Sequence, residues 1–460
     1  MANTYLTRTA GTPTLNSKYT FSFWVKRHRL TYSECFLFDA REDGSNRFKI
    51  SFQSADKIEC FNLNGGSNTF DFVTNRQFRD PASWYHIVLA VDTTLSSATD
   101  RVKLYINGTQ ETSFSSYNFN GSQSDTNNIF NENGRAITIG AYNGGSSYSN
   151  FAEISLSHVH FIDGTAYTPS TFGSTDSTTG EWTINTAPSV TYGNNGFFIL
   201  KDGASVTDQS GNSNNWAVGG GTLTPTEDCP DNVFPVMNPL APGNSSLTFT
   251  NGNLHNGDQS PNDWQAIPAT FAAFTGKFYW EFKIEGVWGS TSNTTHRHGI
   301  ANMFATLNNN PGNGDVAWTD DPFAIGWQNS SGIRYNGDSG ITMTSEFGTY
   351  VANDILMFAM DLTNKKLYFG KNGTWLNSGD PTSGSSGTGA YSMPDLGRGG
   401  MWAPYSETKY GSDKVSWNMG NGYFKTTAIS SEGSNASGIG KFEYDVPTGY
   451  TALSTKGLNE

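Results

Sequence analysis

The chain of 460 residues is long enough for about two or three domains, and its net charge of −13, with no Lys/Arg run, argues against the basic stripe of a nucleic-acid-binding protein. Aromatic residues make up 14% of the sequence and charged residues only 15%, which favours half-buried strands over ion-paired helices. The 51 glycines indicate many turns, and the odd, sparse count of cysteines, Cys35, Cys60 and Cys229, argues against a disulfide framework.

Strand signals follow one another from residue 1 to about residue 220. Residues 21–26 and 48–52 alternate apolar and polar side chains, as a strand with one buried face does. One helical turn is predicted at 168–173, with Thr168 as its N-cap and Pro169 in its first position. Residues 196–201 predict a returning strand that closes a β-sandwich.

One pattern occurs twice: an apolar run, an aspartate, a polar turn, a second strand and an Asn-Gly pair. It spans residues 84–109, with Asp92 and Asn107, and residues 353–375, with Asp361 and Asn372. Asn-Gly between strand-like runs predicts a tight hairpin turn, because both residues tolerate positive φ. The spacing from aspartate to asparagine differs between the two copies, which favours the same structural solution in two distinct sandwiches over a duplicated domain.

The predicted fold class is all-β, with two jelly-roll-like β-sandwich domains joined by an irregular connector. Trp216, Phe234 and Met237 give the connector apolar anchors that a free linker lacks. The predicted boundaries are a first sandwich over 1–201, an extended Pro/Gly/Asn-rich connector over 202–245, a second sandwich over 246–426 and a C-terminal tail over 427–460 that adds a final strand.

The motifs of both sandwiches resemble known families. The first unit resembles the laminin-G/concanavalin-A-like sandwiches in residues 19–27, 84–92, 101–109 and 153–164. The second resembles a SPRY domain in residues 276–286, 323–337, 353–375, 402–407 and 415–420. Together with 192–240 and a closing 444–458, the combination resembles a family of virion proteins of marine tailed phages.

That resemblance implies a structural protein or tail-fibre-like host-attachment protein on the virion surface, made in the host cytoplasm. Its implied partners are other virion proteins and a host surface glycan or receptor, with no nucleic acid, and it is expected as a homo-oligomer or in many copies. The N-terminal residues predict no signal peptide, and no apolar run predicts membrane insertion. Because the sequence begins inside the first sandwich, without a separate anchor, a capsid knob, decoration or short appendage is favoured over a long fibre.

Catalysis has one candidate pair. Glucanases on concanavalin-like sandwiches place paired carboxylates on one strand face, and Glu281 and Glu285 share a face. Lys283 stands between them, where a glucanase would place an aspartate. The same segment is explained as a signature strand of the second sandwich, so we predict no catalytic residue and no enzyme.

Metal-ligand candidates are two His-x-His pairs and two acidic groups. His158 and His160 lie on a predicted strand, and His296 and His298 in or beside a polar loop, but neither pair has an evident third ligand. The acidic groups are Asp39, Glu42 and Asp43, and Asp315, Asp320 and Asp321. We predict packed histidines, solvated turns and no cofactor, with calcium left open, because the resemblance implies calcium on the rim of laminin-G-like domains.

Trp288 and Trp318 are the ligand-binding candidates. Each lies in a polar, Gly/Asn-rich loop, where a large ring is costly unless it packs or binds, and sugars stack on such rings. The favoured alternative is that they cap their own sandwich or contact a neighbouring subunit. Three functions remain open: a structural virion protein, a receptor-binding lectin for host glycan and, least favoured, a glycan-cleaving enzyme.

Overall fold

The computed structural model describes residues 3–30, 33–241, 247–259, 265–287, 296–303, 324–329, 332–337, 340–344, 347–396 and 400–459. The chain forms two compact units, Met1–Pro225 with Cys229–Asp231, and Thr226–Asp228 with Asn232–Glu460. Strands contain 44% of the residues and helices 5%, which confirms the predicted all-β class with two β-sandwich units. Among the described residues, no helix combines the length and hydropathy that crossing a membrane requires.

The first unit contains two main sheets and two short hairpins within its described residues. Its strands are β1 (Tyr5–Thr9), β2 (Lys18–Arg27), β3 (Glu34–Arg41), β4 (Arg47–Gln53), β5 (Ile58–Asn64), β6 (Ser67–Thr74), β7 (Trp84–Asp92), β8 (Val102–Ile106), β9 (Thr109–Gln110), β10 (Phe114–Phe119), β11 (Ala136–Ile139), β12 (Tyr142–Asn143), β13 (Tyr148–Ser149), β14 (Ile154–Asp163), β15 (Gly173–Thr175), β16 (Trp182–Ile184), β17 (Phe197–Ile199) and β18 (Ala217–Gly220). One sheet has the order β10-β6-β5-β4-β3-β11-β1-β18 and the other β17-β14-β2-β7-β8-β9, with β12-β13 and β15-β16 as hairpins. Short 3-10 turns span Ser54–Asp56, Ala98–Asp100, Ile129–Asn131 and Pro169–Thr171.

Aromatic rings from both sheets fill the core between them. On β2, Phe21 and Phe23 face this core with no exposed surface, as the alternation predicts. Phe21 stacks on Phe48 of the opposite sheet, with ring centroids 5.2 Å apart, and meets Phe130 at 4.8 Å. Each buried ring contributes about 1.5–3 kcal/mol, so these contacts are a main source of the unit's stability.

The segment predicted as a connector, 202–245, is divided between the two units at about residues 225–232. In the first unit, β18 pairs with β1 and Trp216 lies in the aromatic core. In the second unit, Phe234 and Met237 are buried. All three residues named as apolar anchors are therefore buried in a core, which a free linker does not do.

The second unit also contains two main sheets within its described residues. Its strands are β19 (Leu247–Thr250), β20 (His255–Gln259), β21 (Gln265–Pro268), β22 (Lys277–Gly286), β23 (His296–Asn302), β24 (Ala324–Gln328), β25 (Gly332–Gly337), β26 (Gly340–Thr344), β27 (Ile355–Asp361), β28 (Lys366–Lys371), β29 (Thr374–Trp375), β30 (Tyr391–Ser392), β31 (Trp402–Thr408), β32 (Lys414–Asn418), β33 (Tyr423–Phe424), β34 (Thr427–Ala428) and β35 (Thr451–Ala452). One sheet has the order β19-β20-β32-β22-β27-β28-β29, with β30 beside β28 and β35 parallel to β22, and the other has β21-β31-β23-β24-β25-β26. Two 3-10 turns, Pro381–Ser386 and Gly457–Asn459, and the hairpin β33-β34 complete it.

Strand β22 is buried on both faces. Phe278, Trp280, Phe282 and Ile284 point into the core between the two sheets, and Tyr279 points the opposite way, as the alternation predicts. The opposite face is covered by the chain's own C-terminal part, since Phe442, Val446 and Tyr450 cluster there with Tyr279 and Phe234. The segment predicted as a tail is thus an integral layer of the second unit, which we call the C-terminal strap (433–453).

The two repeated hairpins use the same contacts in both units. In each, the aspartate that ends the apolar strand pairs with a lysine that starts the neighbouring strand: Lys18–Asp92 at 2.9 Å and Lys277–Asp361 at 3.0 Å. In each, the asparagine of the turn has positive φ. Its Oδ1 accepts a backbone N–H of the apolar strand, from His86 to Asn107 at 2.7 Å and from Ile355 to Asn372 at 2.8 Å. This shared geometry explains why two distinct sandwiches carry one sequence pattern.

Asn372→Ala is expected to lower the free energy of unfolding of the second unit by about 2 kcal/mol, because it adds left-handed strain and removes the acceptor for the Ile355 N–H. Asn372→Gly removes the same acceptor without the strain, so it should cost about 1 kcal/mol less. Urea unfolding of both variants measures the difference. Equal stability of both variants and the wild type would show that this turn does not need its asparagine.

Candidate functional site

Several residues that the sequence singles out lie outside the described residues. These are the ligand-binding candidates Trp288 and Trp318 and the acidic group Asp315, Asp320 and Asp321. Their roles therefore stay predictions from the sequence.

Glu281 is a sealed structural acceptor. Its side chain has no exposed surface and accepts four hydrogen bonds. Two come from side chains, Tyr279 Oη to Oε1 at 2.9 Å and Asn418 Nδ2 to Oε2 at 3.2 Å. The other two come from backbone N–H groups of the C-terminal strap, Glu443 to Oε2 at 2.9 Å and Tyr444 to Oε1 at 2.8 Å. A carboxylate so enclosed fastens the strap to β22 and has no room for a substrate.

Burial sets the protonation of Glu281. Loss of water raises its pKa from 4.5 to about 7, and the four donors only partly oppose this effect by stabilising the charged form. The folded state therefore holds a proton between pH 4.5 and about 7 that the unfolded state has released. The stability that Glu281 contributes is fully present below pH 4.5, the pKa of the unfolded state. It is lost as the pH rises through about 7, the pKa in the folded state.

We therefore expect the second unit to lose stability with rising pH across this window, by about 1.4 kcal/mol for each unit of pKa difference. Thermal unfolding of the wild type and of Glu281→Gln, which has no titrating group there, should be compared at matched pH values. The stability gap between them should narrow from pH 5 to pH 8, over the window that the raised pKa defines. A gap that is constant or widens would show that the pKa of Glu281 is not raised.

Glu285 shares the strand face with Glu281 but has its own partners. It is only half-buried, accepts the Ser416 hydroxyl at 2.9 Å and pairs with Lys425 at 3.0 Å. These contacts lower its pKa against the effect of burial. A paired acid and base on a glycosidase must face one open cleft. Glu281 and Glu285 do not, because the strap seals one of them.

The pair His158 and His160 lies on β14, where the alternation of a regular strand is interrupted. His158 has φ of 47° and the register shifts between Ser157 and His160, which is a β-bulge. Both rings pack against Phe198, with His160 stacked at 4.0 Å and His158 tilted at 5.7 Å. Burial lowers the pKa of His160 well below its usual value, so the ring is a neutral packing element.

The pair His296 and His298 begins strand β23 and is fully buried, so the two residues lie in a strand and not in a loop. His296 Nε2 lies 2.6 Å from Asp413 Oδ1, and His298 Nδ1 lies 2.9 Å from the Ser406 hydroxyl. Across the described ranges, no three or more His, Cys, Asp and Glu side chains are arranged to hold a metal ion. Calcium binding stays a prediction.

The acidic group Asp39, Glu42 and Asp43, at the end of β3 and in the turn between β3 and β4, does not converge on one point. Asp39 is buried and accepts the Asn143 N–H at 2.9 Å, and burial raises its pKa to about 7. Glu42 pairs with Arg135 at 2.9 Å. Asp43 is exposed and caps its own turn by accepting the Ser45 N–H. Each carboxylate has a separate structural role.

A small, partly open cavity, which the sequence did not reveal, lies in the first unit. Its volume of about 10 Å³ is at the lower limit for holding one water molecule, and it is lined by strands of both sheets and by the loop 120–128. Its polar walls include Tyr19, Asp125 and Asn128. These residues are far apart in sequence, and the one local sign is a polar run, 125–128, directly before the buried Ile129.

Comparison with known proteins supports the class of the first unit. Residues 2–161 match a family model described as "Concanavalin A-like lectin/glucanases superfamily". The first unit therefore has the laminin-G/concanavalin-A-like lectin fold, as its motifs predicted. No curated protein matches the chain.

Solved structures similar to the chain include three from different protein classes. The SPRY domain of human HERC1 is 15% identical and aligns over 38% of this chain and 92% of its own, with a TM-score of 0.28. A heptameric SAP-like pentraxin from Limulus polyphemus is 16% identical and aligns over 36% of this chain and 71% of its own, with a TM-score of 0.27. Domain 4 of the arabinanase AbnA from Geobacillus stearothermophilus, solved with arabinotriose, is 20% identical. It aligns over 34% of this chain and 64% of its own, with a TM-score of 0.24. TM-scores this low carry no argument, so the fold assignment rests on the family match and on the observed sheets.

Proposed function

We propose that the chain is a non-enzymatic structural protein on the surface of a phage virion, a capsid knob, decoration or short appendage that acts through protein or glycan contacts. It is made in the host cytoplasm and occurs in many copies. The combination of motifs described above supports this origin. Two segments that carry the resemblance also pack into the fold, since Trp216 of 192–240 and Tyr450 of 444–458 are each buried in a core of their unit.

The state of Glu281 is the observation that carries the non-enzymatic part of the proposal. It is the acid that the sequence offers for glycan cleavage, and it accepts four hydrogen bonds beneath the strap. The same face of β22 that a glucanase would open to its substrate is covered by Phe442 and Val446. Its carboxyl group therefore stabilises the fold.

Localisation on the particle tests the virion role. Antibodies raised against the full chain should label the surface of intact, purified particles in electron micrographs, and cryo-EM should resolve the two β-sandwich units there in many symmetry-related copies. A particle preparation that lacks the chain would contradict the proposal. A position at the distal, trimeric end of a long fibre would replace the knob or decoration with the receptor-binding alternative.

That alternative, a lectin that recognises host surface glycan, is favoured by the match of residues 2–161 to a lectin and glucanase superfamily. A glycan array probed with the labelled full chain, in the presence and absence of calcium, tests it. Retention on specific glycans supports the lectin, and a dependence on calcium would add the metal as a cofactor. No retention under either condition counts against it.

A further inference from the structure

The side chain of Asn128 has an unmet capacity for hydrogen bonds. It is only 3% exposed, and within the described chain neither Oδ1 nor Nδ2 has a partner. Its backbone is held, because its N–H donates to the Thr126 carbonyl at 3.0 Å and its carbonyl accepts the Asn131 N–H at 3.2 Å. Asn128 is one of the residues that line the cavity of about 10 Å³ described above. Native proteins rarely leave a buried amide without a partner, so the cavity is built for a polar guest.

Asp125 supplies an acceptor on the same cavity wall. Its Oδ1 accepts the Asn127 N–H at 2.9 Å, and its backbone carbonyl accepts the Thr93 hydroxyl at 2.6 Å, which together fix the loop. Among the described residues, its Oδ2 accepts no hydrogen bond. This oxygen lies beside Gly121, where an added Cβ would approach it to 3.3 Å. The carboxylate therefore presents one free oxygen at a narrow, half-buried position.

Tyr19 also lines the cavity and is 2% exposed. Within the described structure its hydroxyl has no hydrogen-bond partner. Burial and the nearby charge of Asp125 raise its pKa, so the phenol stays protonated and can donate. The half-buried ring of Phe119 also lines the cavity and offers an apolar wall.

The size and polarity of the walls select the chemistry of the guest. The space accepts a group of about one water molecule. An anion would be repelled by Asp125, and an ammonium group, which only donates, would leave the donors of Asn128 and Tyr19 unmet. A hydroxyl group both donates and accepts. It can donate to Asp125 Oδ2 and accept from Asn128 Nδ2, while attached carbons pack on Phe119.

We propose that this cavity binds one hydroxyl group of a sugar or polyol, held by Asp125, Asn128 and Tyr19. The site rests on the glycan-contact part of the proposed function and names the residues that make that contact in the first unit. In the absence of a glycan a water molecule takes the place of the hydroxyl, and the sugar displaces it.

The side-chain amide resonance of Asn128 in the ¹⁵N-labelled full chain reports directly on the cavity. It is assigned by its loss in Asn128→Leu. The probes are D-glucose, D-galactose, D-mannose and glycerol. Each is added to a concentration well above ~1 mM, so that a weak site with a Kd of that order is occupied. We expect a saturable shift of this resonance with at least one probe, and saturation transfer from the protein to the same probe.

Variants connect the signal to the site without unfolding it. Asn128→Leu removes no hydrogen bond that the structure records, so its thermal midpoint should equal or exceed that of the wild type. Asp125→Asn keeps the Oδ1 acceptor for Asn127 and replaces only Oδ2. Both should weaken the binding of the active probe by about tenfold or more, as loss of a buried polar contact does. Asn133→Leu, at an exposed asparagine of the same unit, is the matched control and should bind like the wild type.

Two outcomes overturn the site and separate it from the proposed function. If a probe or an array glycan binds the wild type and Asn128→Leu equally, with the Asn128 resonance unmoved, the glycan contact lies elsewhere on the chain. If no probe moves the resonance and no glycan binds the chain, the cavity holds water only, and the glycan-contact part of the proposed function fails with it.

Discussion

Glu281→Gln is expected to free the C-terminal strap from β22 and to lower the free energy of unfolding of the second unit by about 3 kcal/mol. At pH 8, above its raised pKa of about 7, the native Glu281 side chain is a carboxylate and accepts the N–H groups of Glu443 and Tyr444 on different oxygens, at 2.9 and 2.8 Å. Glutamine offers one oxygen and one NH₂ group, so at least one buried donor then faces another donor. Such a group carries its full desolvation cost.

Hydrogen exchange measured by mass spectrometry locates the effect. In Glu281→Gln, peptides covering residues 442–446 should exchange much faster than in the wild type, while peptides of the first unit stay unchanged. Glu285→Gln is the matched control, because it makes the same change four residues along the same strand face. It removes the charge from a partly exposed ion pair with Lys425 and keeps an oxygen for the Ser416 hydroxyl, so its cost should stay below about 1 kcal/mol. Unchanged exchange at 442–446 would show that the carboxylate does not hold the strap.

Asp56→Asn should destabilise the first unit by about 3–5 kcal/mol, because it leaves a buried arginine without its counter-charge. The Asp56 side chain is fully buried, with Arg27 Nη1 at 3.1 Å and Arg79 Nε at 2.9 Å. Arg27 is equally buried and lies over the ring of Phe52 at 4.3 Å, so it cannot regain water. Asp56 has φ of 60°, which asparagine also tolerates, so the substitution changes the charge without adding backbone strain.

Urea unfolding, followed by hydrogen exchange at β4 and β5, measures this cost. The matched control is Asp43→Asn, the same substitution at an exposed turn of the same unit, which should leave the transition of the first unit in place. An Asp56→Asn transition at the wild-type urea concentration would contradict the claim that Arg27 depends on this aspartate.

The parts of the fold that short-range patterns specify could be predicted. The alternation in β22 placed Trp280 in the core and Tyr279 on the opposite face, and the Asn-Gly pairs at Asn107 and Asn372 marked two real turns. Side chains alternate between the two faces of a strand, and the turn fixes where the alternation starts. A few neighbouring residues therefore decide which face each side chain takes.

The candidate site could not be predicted in the same way, because its environment comes from distant segments. The sequence shows that Glu281 lies on the face opposite the core, but not that Glu443 and Tyr444 cross that face and donate to it. Likewise, the bulge at His158 is a local departure from alternation that no neighbouring residue type announces. The unpartnered amide of Asn128 can be recognised only in the folded structure, where loop 120–128 packs against the strands of the sandwich.

Whether the chain cuts glycans is the most direct test of the claim that its buried acids serve the fold and not catalysis. The measurement is the release of new reducing ends from soluble β-glucan, galactan and arabinan by the full chain, with heat-denatured protein as the blank. The sealed state of Glu281 predicts that the wild type and Glu281→Gln both release none above the blank. Reducing ends released by the wild type and abolished in Glu281→Gln would contradict it.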